Sequence, residues 1–171
     1  MQEMQLDNLV LTYVRSVEHR LHAEGFQCTE NLFYAGQVFT AVGRKAGFEI
    51  SKFGEFERFF VLQHLPAIDP YSLRRFSSHC FNYATSNRRS SLPLGFFSSL
   101  ACYAVAVIHT VDQAAAFAVS NEEPPMHLTG FEFPVIYELA TRMLYYSTKT
   151  PFFGWAYYNG LRKEAHRLLS F

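Results

Sequence analysis

The sequence is short of cysteine, short of charge, and free of the signatures that name a reaction. Its 171 residues hold three cysteines, Cys28, Cys80 and Cys102, far apart and without a C-x-x-C pair. That spacing argues against a disulfide framework or a thiolate zinc site and fits a reducing, cytoplasmic setting. Charged residues make up 18% of the chain, fifteen of each sign, below the share of about 25% in an average domain. A balanced net charge gives no prior for nucleic acid or an acidic membrane surface. No phosphate-binding loop, dinucleotide fingerprint, H-E-x-x-H, G-x-S-x-G or calcium-loop spacing occurs, so the common hydrolase and nucleotide chemistries lose their usual support. No cofactor and no metal is implied.

Long apolar runs are scarce too. An uncharged window runs from Leu92 to Val111, close to the length of about 20 residues that spans a bilayer. Pro93, Gly95, Ser98, Ser99, His109 and Thr110 interrupt it. It reads as an approach loop and a buried strand, and no membrane partner is expected. The start of the chain carries Glu3 and Asp7 where a signal peptide needs a basic, then apolar, segment, so no targeting segment is read there.

What the chain does have is aromatic mass: 18 Phe and 10 Tyr. Each buried Phe contributes about 1.5–3 kcal/mol, enough for a core without disulfide or metal support. The length suits one domain, residues 1–171.

Leu6, Leu9, Val10, Tyr13, Val14, Val17 and Leu21 recur at helical intervals up to Gly25. Thr29 is placed to cap a second, shorter helix through residues 30–39. Residues 48–52 alternate, and Phe59 to Leu62 form a continuous apolar run, which reads as strand, turn and buried strand stopped by Pro66. Asp69 before Pro70 opens a helix that runs to about Asn87. Residues 101–111 read as a central strand, and Asp112 caps a short helix. Residues 133–148 admit a helix or a hairpin turning near Ala140–Arg142, and the aromatic and β-branched ends favour the hairpin. An amphipathic helix follows Pro151, carrying Phe153, Tyr157, Leu161, Ala165 and Leu168. The expected class is α/β (α+β): one mixed sheet of about four to six strands covered by N-terminal, central and C-terminal amphipathic helices. The alternative is an all-α bundle.

Four arginines and no acid fall between residues 71 and 111. On a helix of about 3.6 residues per turn, Leu73, Phe76, Cys80, Tyr83, Ala84 and Asn87 share one side. Arg74, Arg75, Ser78, Asn82, Thr85 and Arg89 share the other, with His79 at the boundary. Cys80 is thereby a core thiol rather than a nucleophile. The pairs Arg74–Arg75 and Arg88–Arg89 would stand roughly 21 Å apart along that helix. They form a candidate site for a phosphate-bearing or acidic ligand, nucleic acid included. The Arg74-x4-His79 spacing is similar to the ribonuclease motif of the HEPN family, which pairs Arg and His in all-helical dimers. That resemblance implies nuclease chemistry at Arg74 and His79, although Arg75 stands where the family usually has a polar residue.

Glu122, Glu123, His127 and Glu132 gather around a proline-rich loop, a candidate hydrolytic site if the carboxylates converge on the imidazole. His19 and His22 read as surface residues, and Cys102 and His109 fall on opposite faces of their strand. The sequence thus favours a soluble binding or interaction domain, self-associating as a homo-oligomer. The alternative is a small hydrolase or nuclease using His127 with the loop carboxylates or Arg74 with His79.

Overall fold

The computed structural model describes residues 2–49, 54–89, 98–125, 127, 130–151 and 155–171. In chain order these form α1 (Gln2–Ala23), β1 (Gln27–Tyr34), β2 (Gln37–Glu49), β3 (Gly54–His64) and α2 (Pro70–Ser86). Then come β4 (Ser98–Ile108), α3 (Gln113–Asn121), β5 (Gly130–Glu138), β6 (Met143–Tyr146) and α4 (Trp155–Leu169). The six strands make one mixed sheet in sequence order. β3, β4 and β5 run parallel, and the other three neighbouring pairs are antiparallel. The α/β reading holds. The all-α bundle does not, and the Arg74–His79 spacing loses the all-helical setting of the family it resembles.

The topology sets the layers. Both parallel crossovers step the same way across the sheet, and right-handed connections then place their helices on one face. α2 packs on β4 and β5, and α3 on β5 and β6. α1 and α4 cover the opposite face. In β4, Tyr103, Val105 and Val107 enter the α1/α4 core, while Cys102, Ala104 and Ala106 enter the α2/α3 core. A strand buried on both faces reads as a continuous apolar run, which is why it was legible in the sequence. The cores are aromatic: Tyr103 stacks on Phe60 at 4.1 Å and Tyr13 on Tyr137 at 3.6 Å. No helix among the described residues is long and apolar enough to cross a membrane.

Two local expectations are corrected. Residues 30–39 are not a helix but the β1–β2 hairpin, turned by Ala35 (φ 46°) and Gly36 (φ 85°). Positive φ at two successive residues is the backbone of a primed hairpin turn, whose twist matches the strands it joins. Pairing of β2 with β3 outweighs the short helical periodicity that follows Thr29. The helix expected to run to about Asn87 ends at Ser86, so Arg88 and Arg89, projected onto its outer face, lie beyond it. Asn87 caps it, its backbone N–H directed to the carbonyls of Tyr83 and Ala84. The hairpin reading of residues 133–148 holds, with Arg142 (φ 59°) in the turn. Expectations resting on Ile50, Lys52, Pro93, Gly95 and Phe153 lie outside the described residues.

Candidate anion-binding groove beside α2

α2 is held firmly at its start. The Asp69 carboxylate accepts from the backbone N–H groups of Tyr71 and Ser72 at 2.8 and 2.9 Å and from the Ser72 hydroxyl. Those bonds, the Ser72 amide first, hold its pKa below the usual carboxylate range. Leu73, Phe76, Cys80, Tyr83 and Ala84 are buried as their spacing implied, along with Ser77 and Phe81. Because α2 leans on β4 and β5, its other flank overhangs β3 and the β1–β2 hairpin.

The hairpin reaches under that flank through a break in its own alternation. Cys28 and Ala41 pack on the α1 side, whereas Leu32, Tyr34 and Phe39, beyond Asn31, pack on the α2 side. Asn31 has φ 50°, and it is skipped in the otherwise regular register with β2. One residue in the left-handed region re-aims the side chains that follow, as a bulge does. Tyr34 and Phe39 are thereby delivered against His79, at ring distances of 5.2 and 5.6 Å, and against Tyr83, at 5.1 and 5.4 Å.

Between α2, the end of β3 and the hairpin turn lies a groove of about 610 Å³. Arg75, His79 and Asn82 line its helical wall, and Gln63 and Gln37 stand opposite, with Ile68 among the apolar residues below. Gln63 is the penultimate residue of β3, so the groove lies at the carboxyl end of that strand. No carboxylate lines the groove among the described residues. Two of its polar atoms, Gln63 Oε1 and His79 Nε2, are shielded from solvent and lack a hydrogen-bond partner. Each such group costs about 1–3 kcal/mol.

The four arginines do not form one strip. Arg74 is paired with Glu122 of the segment after α3. Arg88 and Arg89 lie past the end of α2: the Arg88 guanidinium donates to Ser98 Oγ at 2.8 Å, and that of Arg89 to Gln27 Oε1 at 3.1 Å. The Arg89 backbone N–H donates to Glu57, a buried carboxylate that Arg44 also meets at 3.0 Å. Arg75 differs. Its guanidinium rests 5.8 Å over the Tyr71 ring, and among the described residues it has no carboxylate partner.

The loop candidates separate as well. Glu132 is wholly buried on β5, its Oε2 2.7 Å from His127 Nε2, and it accepts a long 3.4 Å contact from the Ser78 hydroxyl. Phe81 stacks on the His127 ring at 4.0 Å. Glu122 turns to Arg74, and with Glu123 it lines a smaller pocket of about 240 Å³ between α2 and α3. The carboxylates therefore do not gather on His127; only Glu132 does. No Ser, Thr or Cys among the described residues is hydrogen-bonded to that imidazole. No three described His, Cys, Asp or Glu side chains are grouped to hold a metal. Burial pushes the Cys80 and Cys102 thiols well up, and burial together with Glu18 pushes Cys28 up to about 11, so none is a poised nucleophile. His19, His22 and His109 are exposed.

Sequence spacing missed Gln63 and the inward role of His79. A signal was present at the end of the apolar run before Pro66, where Gln63 and His64 place two polar side chains in a strand otherwise written for the core. No family model, curated protein or solved structure matches the chain, so the chemistry of the groove is argued from its own residues.

Proposed function

We propose that the chain is a binding domain that holds a small anionic, phosphate-bearing ligand in the groove beside α2, with Arg75 as the principal charge. The observation that carries this is the state of Arg75: it lines an acid-free groove and has no carboxylate partner among the described residues. A planar guanidinium presents a fork of N–H donors matched to phosphate oxygens. The groove volume falls within the range of about 300–1,000 Å³ typical of small-molecule sites. Nucleic acid fits less well, because Arg88 and Arg89 turn to Ser98 and Gln27 instead of extending a track from Arg75. Titration calorimetry with inorganic phosphate and pyrophosphate at low salt tests the reading. Salt-sensitive binding lost in Arg75→Glu and kept in Arg89→Glu supports it; no binding to the parent protein sinks it.

A hydrolase at His127 stands second. Its supporting observation is the 2.7 Å contact with buried Glu132, the arrangement that orients a base. Loss of esterase or phosphodiesterase turnover in His127→Ala would favour it. Self-association belongs to the same proposal and rests on Phe33 and Val38, exposed and directly opposite on the edge hairpin. Light scattering of the parent against Phe33→Ser checks it, a purely monomeric parent being the adverse result. A cytoplasmic setting is supported by the free thiols of all three cysteines.

A further inference from the structure

We infer that the ligand is a hydroxylated phosphate ester, of the sugar phosphate or glycerol phosphate class, whose hydroxyls are read by Gln63, His79 and Asn82. This rests on the binding reading above and adds the chemistry of the ligand's body.

A bare phosphate satisfies Arg75 and leaves the rest of the groove unexplained. Gln63 Oε1 is an acceptor without a donor, and a fully ionised phosphate has no proton to offer it. His79 Nε2 is likewise unpartnered. Which end of an amide is oxygen and which ring nitrogen carries the proton are assignments made from partners, and here there are none to decide them. A hydroxyl both donates and accepts, so it satisfies either amide orientation and either imidazole tautomer. A purely apolar or purely anionic body satisfies neither in both forms. Asn82 and Ser72, exposed on α2 along the same wall, extend the row of neutral hydrogen-bonding groups. Arg75 then stands beside this row as the phosphate anchor, and Ile68 and Leu65 offer apolar surface to the carbon skeleton. Gln63 and His79 must turn toward the ligand on binding, because their unpartnered atoms are shielded in the free protein.

A site built this way discriminates sharply, since an analogue lacking the hydroxyl leaves buried polar groups unpaired. It also carries a signature that a merely structural role lacks. Removing an unpartnered buried polar atom relieves the free protein, so Gln63→Leu and His79→Phe should raise Tm while lowering affinity.

Calorimetric titrations with ribose phosphate, glycerol phosphate, inorganic phosphate and neutral ribose provide the test. Ribose phosphate or glycerol phosphate should bind at least about tenfold more tightly than inorganic phosphate, a difference of one good hydrogen bond or more. The tighter of the two esters identifies the source of the hydroxyls. Gln63→Leu should erase that advantage and leave inorganic phosphate unchanged, and Arg75→Ala should weaken every phosphate. Asn82→Ala, exposed and harmless to the core, should reduce the ester advantage even if the Gln63 variant fails to fold. Equal affinity for ester and inorganic phosphate, both dependent on Arg75, overturns this inference and leaves the binding reading standing. No binding of any phosphate overturns both.

Discussion

The two flanks of α2 treat charged side chains in opposite ways, although the buried Ser77 hydroxyl on the α3 side is also without a partner. On the flank over β5, Glu132 is buried but matched by His127 and Ser78, and on the rim Arg74 meets Glu122. Glu57 and Glu138, buried elsewhere on the same face of the sheet, follow the same pattern. Glu57 accepts from Arg44 and the Arg89 amide, and Glu138 from Thr141, Val111 and Tyr145. On the flank over β3, Gln63 and His79 have atoms left without partners, and Arg75 has no acid. Both flanks are polar. The difference is satisfaction: a closed network stabilises the fold, whereas an open one holds capacity for something outside the chain.

Four outcomes break or sharpen that contrast, the largest first. Arg44→Ala removes a side-chain cation paired with buried Glu57, and urea unfolding should show a loss of about 3 kcal/mol. Next, Arg75→Glu should abolish phosphate binding, a loss of at least about tenfold or 1.4 kcal/mol, while stability stays within about 0.5 kcal/mol of the parent. The same reversal at a closed-network residue should not spare stability. Third, Gln63→Leu should stabilise the free protein by about 1 kcal/mol in the same unfolding assay. Destabilisation would place Gln63 in a closed network after all.

The smallest effect concerns acid. Burial raises the Glu138 carboxyl, but hydrogen bonds from Thr141, Val111 and Tyr145 outweigh it, and its pKa lies below the ordinary value. A carboxylate depressed in the folded state contributes stability above its unfolded pKa of about 4.3. That contribution is lost as pH falls through the lower folded pKa. Urea midpoints followed into acid should therefore fall more steeply for the parent than for Glu138→Gln, and parallel curves would remove Glu138 from the closed set.

Much of the fold was legible because its signals are local. Asp69 and Pro70 start α2 through a cap and a preset φ, and Asp112 does the same for α3 by accepting from Ala114. β4 is apolar from Leu100 to Ile108 because both of its faces are covered there. The segment from Thr29 to Phe39 was misread because a ten-residue window cannot weigh helical spacing against a partner strand that begins at Gly54. The arginine strip failed for a similar reason. Helical projection places Arg74 and Arg89 together only if the helix continues, and Asn87 ends it.

The sequence by itself determined the α/β class, the length and buried stripe of α2, the central strand and the burial of Cys80, since capping and periodicity act between near neighbours. Only the tertiary structure decided which charges are answered. Glu122 reaches Arg74 across 48 residues and Glu57 the Arg89 amide across 32. The bend at Asn31 brings Tyr34 and Phe39 to His79, and packing of the hairpin against α2 closes the groove around Gln63. Side-chain satisfaction is a property of convergence in space, and chain separation carries no trace of it.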